Sequence, residues 1–255
     1  MDWSPGYREL APPVALRQSV SCLWIGVAPP GEDRSTVVLP DACVDVIWEQ
    51  GKGVYVAGPD TGPAPTTSPP GTVMAAVRFA PGAAGPALRM PMSELLNERV
   101  DAGDLGRGPG AGLARLLPGS LDPDLALRRL TELAGAMTDE RPADLLAAQA
   151  ARLLGSAPVQ AETVAGHLGV SERQLRRRCQ ASVGYGPATL RRVLRFRRFV
   201  SWADAGYLVG GGGDLAQVAF ELGYADQAHL TRECVRLAGI TPAALVAARL
   251  RPSAR

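Results

Sequence analysis

Glu162-Thr-Val-Ala-Gly-His-Leu-Gly-Val-Ser-Glu-Arg-Gln-Leu-Arg-Arg-Arg-Cys-Gln180 is the stretch on which the reading of this chain turns. Val164 and Leu168 form an apolar i,i+4 pair, and the small Ala165 permits a close helix crossing. Gly169 suits a turn that needs positive φ, and Ser171 is a good N-cap for a following helix. At 100° per residue, Leu175 and Cys179 share one face of that helix. Arg173 and Arg177 lie opposite them, with Arg176 alongside. An apolar inner face and long outward donors are what a helix needs to dock on a scaffold and read a DNA groove. The competing reading is a solvated cationic face.

Fifty residues on, the layout repeats in Leu215-Ala-Gln-Val-Ala-Phe-Glu-Leu-Gly-Tyr-Ala-Asp-Gln-Ala-His-Leu-Thr-Arg-Glu-Cys-Val-Arg236. Ala219 and Gly223 keep the offset of Ala165 and Gly169, Asp226 is the N-cap, and Leu230 with Cys234 repeats the inward pair. Ala228 and Arg232 face outward, with Thr231 beside them and Gln227 at the helix tip. Between the units, Leu190, Val193, Leu194, Phe196 and Val200 give a spacer helix one apolar side, with Arg191, Arg192, Arg195 and Arg198 largely on the other. Two such units are far more specific than one. Gly210 to Gly213 reads as a flexible break.

The last hundred residues resemble the DNA-binding domain of AraC/XylS-type bacterial transcription regulators. Gly223-Tyr224, Asp226, His229-Leu230, Arg232, Arg236, Gly239 and Thr241-Pro242 carry the likeness around the second unit. Ser171-Glu172-Arg173-Gln174-Leu175 and Val183-Gly184-Tyr185-Gly186-Pro187 carry it around the first. The pattern departs where the family has a bulky phenylalanine in each recognition helix; Cys179 and Cys234 stand there instead. The resemblance implies two recognition helices in successive major grooves, about 34 Å apart. It implies DNA contacts from Arg173, Gln174, Arg176 and Arg177 in the first unit, and from Gln227, Ala228, Thr231 and Arg232 in the second.

Working outward, Val37-Val38-Leu39, Val44 to Trp48, Val54-Tyr55-Val56 and Val73 to Phe79 are β-forming runs between turn signals. Their spacing suggests a small sandwich or barrel, not parallel βαβ units. Leu39 to Trp48 and Val77 to Gly82 resemble the cupin-like β-domains found upstream of AraC-type DNA-binding domains, which sense an effector or dimerise. Residues 80–92 read as loop, Met92 to Glu98 as a helical piece, and the glycine-rich Gly103 to Gly119 as linker. Two helical runs follow, one opening at Asp122-Pro123-Asp124, the other running from Arg141-Pro142 to Leu154 and closing on Gly155. The expected architecture is α+β: a β-rich domain over 1–105, a linker and helical connector over 106–156, and an all-α double helix-turn-helix domain over 157–255.

Charge follows this division. The 27 basic and 25 acidic residues almost cancel over the 255 positions, and 26 of the 27 are arginine. Residues 1–158 hold 13 basic and 18 acidic side chains, a net −5; residues 159–255 hold 14 and 7, a net +7. The basic part is the one drawn to polyanions. Forty-six per cent hydrophobic residues and a mean hydropathy of +0.02 exclude wholesale disorder. Met1 to Leu10 has no apolar run and reads as no signal peptide, and nothing approaches 18 apolar residues, so a cytoplasmic chain without a membrane partner is expected.

No histidine precedes His167, so a histidine-ligated metal site cannot be built in the β-domain, and no metal, cofactor or catalysis is expected. His167 and His229 read as capping or packing residues. Trp24 and Trp48 read as core, with effector contact the weaker possibility. Asp41, Asp45 and Glu49 share a strand face if the run is unbroken, but no nucleophile accompanies them. The acids beside Cys43 should raise its pKa. Duplex DNA is the expected partner, with a small-molecule effector, RNA polymerase and a second copy of the chain as further candidates. The rivals are a constitutive DNA-binding protein whose N-terminal domain only dimerises or recruits a partner, and an enzymatic β-domain fused to a DNA-binding tail.

Overall fold

The computed structural model describes residues 3–105, 109–156, 158–207 and 214–250. The break expected at Gly210 to Gly213 lies outside them. The N-terminal part contains strands β1 (Gly6–Leu10), β2 (Val20–Val27), β3 (Arg34–Val38), β4 (Val44–Glu49), β5 (Gly53–Ala57), β6 (Ala64–Ser68) and β7 (Val73–Phe79). Helix α1 (Ala84–Leu88), strand β8 (Arg99–Asp101), helix α2 (Pro109–Leu116) and helix α3 (Pro123–Glu140) complete it. Six strands form one antiparallel sheet in the order β1-β2-β7-β4-β5-β8, and β3 pairs with β6 as a separate ribbon.

Strand alternation divides the sheet's side chains between two faces. Leu23, Ile25, Val46, Trp48, Val56, Val77 and Phe79 pack against α1 and α3. Cys22, Trp24, Ile47, Ala57 and Ala76 form a smaller cluster on the opposite face, edged by Tyr55 and Met74. Trp24 and Trp48 therefore sit on opposite sides and cannot line one pocket. Trp48 is wholly buried, its indole N–H donating to Pro118 O at 3.0 Å, so it is core.

The stretch read as linker is core too. Leu113 and Leu117 are buried in the helix-backed cluster with Ala126, Leu127, Leu130 and Ala134, so the β-domain's core runs past residue 105 into α3. Burial of two leucines outweighs the weak helix propensity of Gly110 and Gly112. Residues 80–92 likewise contain α1 where loop was expected. Asp122 caps α3 as read, accepting from Asp124 and Leu125 N–H at 3.0 and 3.2 Å.

Helix α4 (Leu145–Ser156) belongs with the C-terminal core, through Ala147, Ala150, Ala151 and Leu154. It runs one residue past Gly155, where closure was expected, to Ser156, and Gly155 packs beside Leu194. Beyond it come α5 (Ala161–His167), α6 (Glu172–Val183), α7 (Pro187–Asp204), α8 (Leu215–Glu221), α9 (Gln227–Ala238) and α10 (Pro242–Leu250). Among the described residues no helix is long and apolar enough to cross a membrane.

Candidate nucleic-acid interface

Helices α5 and α6 make the first helix-turn-helix unit. Gly169 takes φ +66 at the turn, and Val170 N–H returns to Ala165 O at 3.0 Å. Ser171 caps α6 by accepting from Gln174 N–H at 3.2 Å, while Gln174 Oε1 accepts from Ser171 N–H at 2.9 Å. This reciprocal capping box engages the carbonyl end of Gln174, one of the expected DNA contacts. Leu175 and Cys179 are fully buried, and Arg173, Arg176 and Arg177 are exposed.

The second unit repeats this with one difference. Gly223 takes φ +76, and Tyr224 N–H returns to Ala219 O at 2.8 Å. Its turn, Gly223-Tyr224-Ala225-Asp226, is one residue longer than Gly169-Val170-Ser171. The extra backbone N–H, on Ala225, donates to His229 Nδ1 at 3.2 Å. That bond accounts for His229 as a local structural residue. Asp226 caps α9, Leu230 and Cys234 are fully buried, and Gln227, Ala228 and Arg232 are exposed. Thr231 is half-buried and its hydroxyl donates to Gln227 O at 2.9 Å, which leaves its methyl group as the outward feature.

The arginines differ in their partners. Among the described residues, Arg173, Arg176, Arg177 and Arg232 form no ion pair. Several others are bonded to the scaffold. Arg178 pairs with Asp144 at 3.1 Å, and Arg192 with the buried Glu233 at 2.9 Å. Arg195 donates to Gly223 O at 2.8 Å, and Arg191 to Gln160 Oε1 at 2.7 Å. The arginine side of the spacer helix α7 thus clasps α5's entry and the second unit. Sequence spacing placed these arginines on one face but could not show which of them the scaffold bonds.

In the β-domain, Arg78 extends over the smaller face of the sheet. It meets Asp45 in a fork, Nε to Oδ1 and Nη2 to Oδ2 both at 2.9 Å, with Glu9 and Asp41 at 3.4 and 3.5 Å. Trp24 donates to Asp45 Oδ2 at 3.1 Å, and Tyr7 stacks obliquely on Trp24 with centroids 5.6 Å apart. Burial pushes the Asp41 carboxyl above its ordinary value, against the pull of Arg78. Ala42 follows in a left-handed conformation, φ +67, which breaks the strand face on which Asp41 would have joined Asp45. Cys43 is raised well above the ordinary thiol range by burial and then by Asp41. The acids are therefore an ion-pair network around one arginine.

Residues 164–248 match the family described as a helix-turn-helix domain, and residues 8–101 match a family described as a domain of unknown function (DUF6597). No curated protein matches the chain. An AraC-type transcriptional regulator from Chromobacterium violaceum is similar at 23% identity and TM-score 0.37, over 41% of this chain and 92% of that one. ToxT from Vibrio cholerae is similar at 11% identity and TM-score 0.48, over 90% of this chain and 99% of that one. A structure of ToxT bound to an unsaturated fatty acid is similar at 11% identity and TM-score 0.45, over 88% and 94%. The paired turns and the capped second helices agree with the family match: the segment from residue 164 to residue 248 is a helix-turn-helix domain.

Proposed function

We propose that this chain is a sequence-specific, cytoplasmic transcription regulator that reads two successive major grooves with α6 and α9. The observation that carries this reading is the set of four exposed arginines, without an ion pair among the described residues, on the outer faces of helices whose inner faces are fully buried. Arg173, Arg176 and Arg177 supply the first reading face; Gln227, Ala228, the Thr231 methyl and Arg232 supply the second. Gln174 lies at the edge of the first, its carbonyl kept by the cap. Phosphate contacts give affinity and base-edge contacts give choice.

The β-domain is read as the modulating part. Its smaller sheet face, with Tyr7, Trp24, Tyr55 and Met74 around the Arg78 network, combines aromatic surface with a few fixed polar groups, as small-molecule seats do. Selection of bound sequences from random duplex DNA by the full chain tests the DNA reading. Two half-sites about one helical turn apart are expected; recovery of random sequence would overturn it.

A further inference from the structure

Asp144 stands where three parts of the chain meet. Its backbone N–H donates to Gly82 O of the β-domain at 2.9 Å. Its Oδ1 accepts from Leu146 and Ala147 N–H at 3.1 and 3.2 Å and so caps α4. Its Oδ2 accepts from Arg178 Nη1 at 3.1 Å and Ser182 Oγ at 3.0 Å, both on α6. The carboxylate is 7% exposed, and four donors offset its desolvation.

A helix cap needs only one oxygen, and serine would serve. The second oxygen, directed at a recognition helix, does something that α4 alone does not require. By drawing Arg178 inward it selects which side of α6 faces away from the protein, and hence where Arg173 and Arg177 point. The surrounding packing leaves little room for α6 to slide. A Cβ on Gly85 of α1 would lie 2.8 Å from Ala181 O, and one on Gly184, just past α6, would lie 2.5 Å from Pro59 Cγ. Arg89, Arg141 and Arg178 rim an open cleft of about 760 Å³ along this junction, with Asp144 in its wall.

We propose that Asp144 is a positioning residue that ties the pose of the first recognition helix to the β-domain, and so sets specificity at the half-site that α6 reads. This rests on the reading of α6 as a DNA-reading helix. The second unit is held differently: Arg192 and Arg195 of α7 anchor it, and it meets the β-domain by packing, with Gly62 beside Arg236 O and Pro63 beside Gly239.

The test uses the full chain and the operator recovered by selection. Asp144→Ser keeps the cap of α4 and loses the reach to α6; Arg178→Gln breaks the same tie from a half-exposed side chain that folding can spare. Each is expected to weaken operator binding 5- to 30-fold. Base changes in the first half-site should then lose most of their penalty, while those in the second keep theirs. The double variant should be no weaker than the stronger single one, since both remove one interaction. Unchanged penalties in the first half-site, equal loss at both, or additive losses would each overturn the proposal. Arg177→Ala is the control: if it too leaves the first half-site's penalties intact, the reading of α6 itself falls. If Arg177→Ala removes them and Asp144→Ser does not, only the tie falls.

Discussion

The Arg195 guanidinium lies over the Tyr224 ring, 4.0 Å from its centroid, while Nη1 donates to Gly223 O at 2.8 Å. One side chain of the spacer helix thus holds both the turn of the second unit and the aromatic residue after it. The stack fixes α8 and α9 against α7, and with them the separation of α6 and α9. Arg195→Leu should cost about 1–2 kcal/mol of stability through lost stacking and hydrogen bonding. Chemical denaturation measures this, and binding to operators with the half-site spacing changed by one base pair should become more nearly equal to binding at the natural spacing.

Arg177→Ala and Arg232→Ala should each weaken specific binding by about 1–3 kcal/mol if the residue meets a base edge. Electrophoretic titration on the selected operator and on random DNA separates the cases. Equal weakening on both would assign the residue to phosphate, with a salt slope lowered by about one.

Asp41 gives a signed dependence on pH. Its folded pKa is raised above the ordinary 3.8, chiefly by burial, so the folded state favours the protonated carboxyl. The associated stability is fully present below the unfolded value and is lost as pH rises through the folded one. Asp41→Asn keeps an acceptor for Cys43 N–H, which now donates to Asp41 Oδ1 at 2.8 Å. Relative to that variant, the natural chain should lose stability as pH rises from about 4 through the folded pKa. Parallel denaturation curves at all pH values would contradict this.

All four cysteines are buried as free thiols. Burial pushes Cys179 and Cys234 up to about 12 and Cys22 up to about 11, so thiolate is scarce at neutral pH. A thiol reagent at pH 8 should label the folded chain slowly and all four sites at once on unfolding. Cys234→Phe, the family's usual residue, should destabilise this core by about 1–3 kcal/mol unless neighbours are changed with it.

Some of this was legible from neighbours in sequence and some was not. The two helix-turn-helix units rest on i,i+4 spacings and caps, which are local, so Leu175, Cys179, Leu230 and Cys234 were placed inward correctly. The capping box at Ser171 and Gln174 and the longer second turn were equally local and were available in the same residues. Strands β4, β5 and β7 carry β-branched runs. Strand β6, Ala-Pro-Thr-Thr-Ser, carries only the polar pair Thr66-Thr67 beside a proline, and Pro65 is tolerated because β6 pairs on one side only. Helix α2 was hidden by its glycines and is held by Leu113 and Leu117 instead. The bonds from Asp144 to Arg178 and Ser182 join residues more than thirty positions apart, and no spacing rule announces them.

The uneven anchorage of the two reading units bears on how such a regulator changes over generations. On the proposal above, substitutions that reshape the β-domain act on the first recognition helix through Asp144 more directly than on the second, which α7 clasps. One end of the operator is then the steadier address, and the other can drift as the β-domain changes. Promoters under this protein should conserve one half-site more strictly than the other.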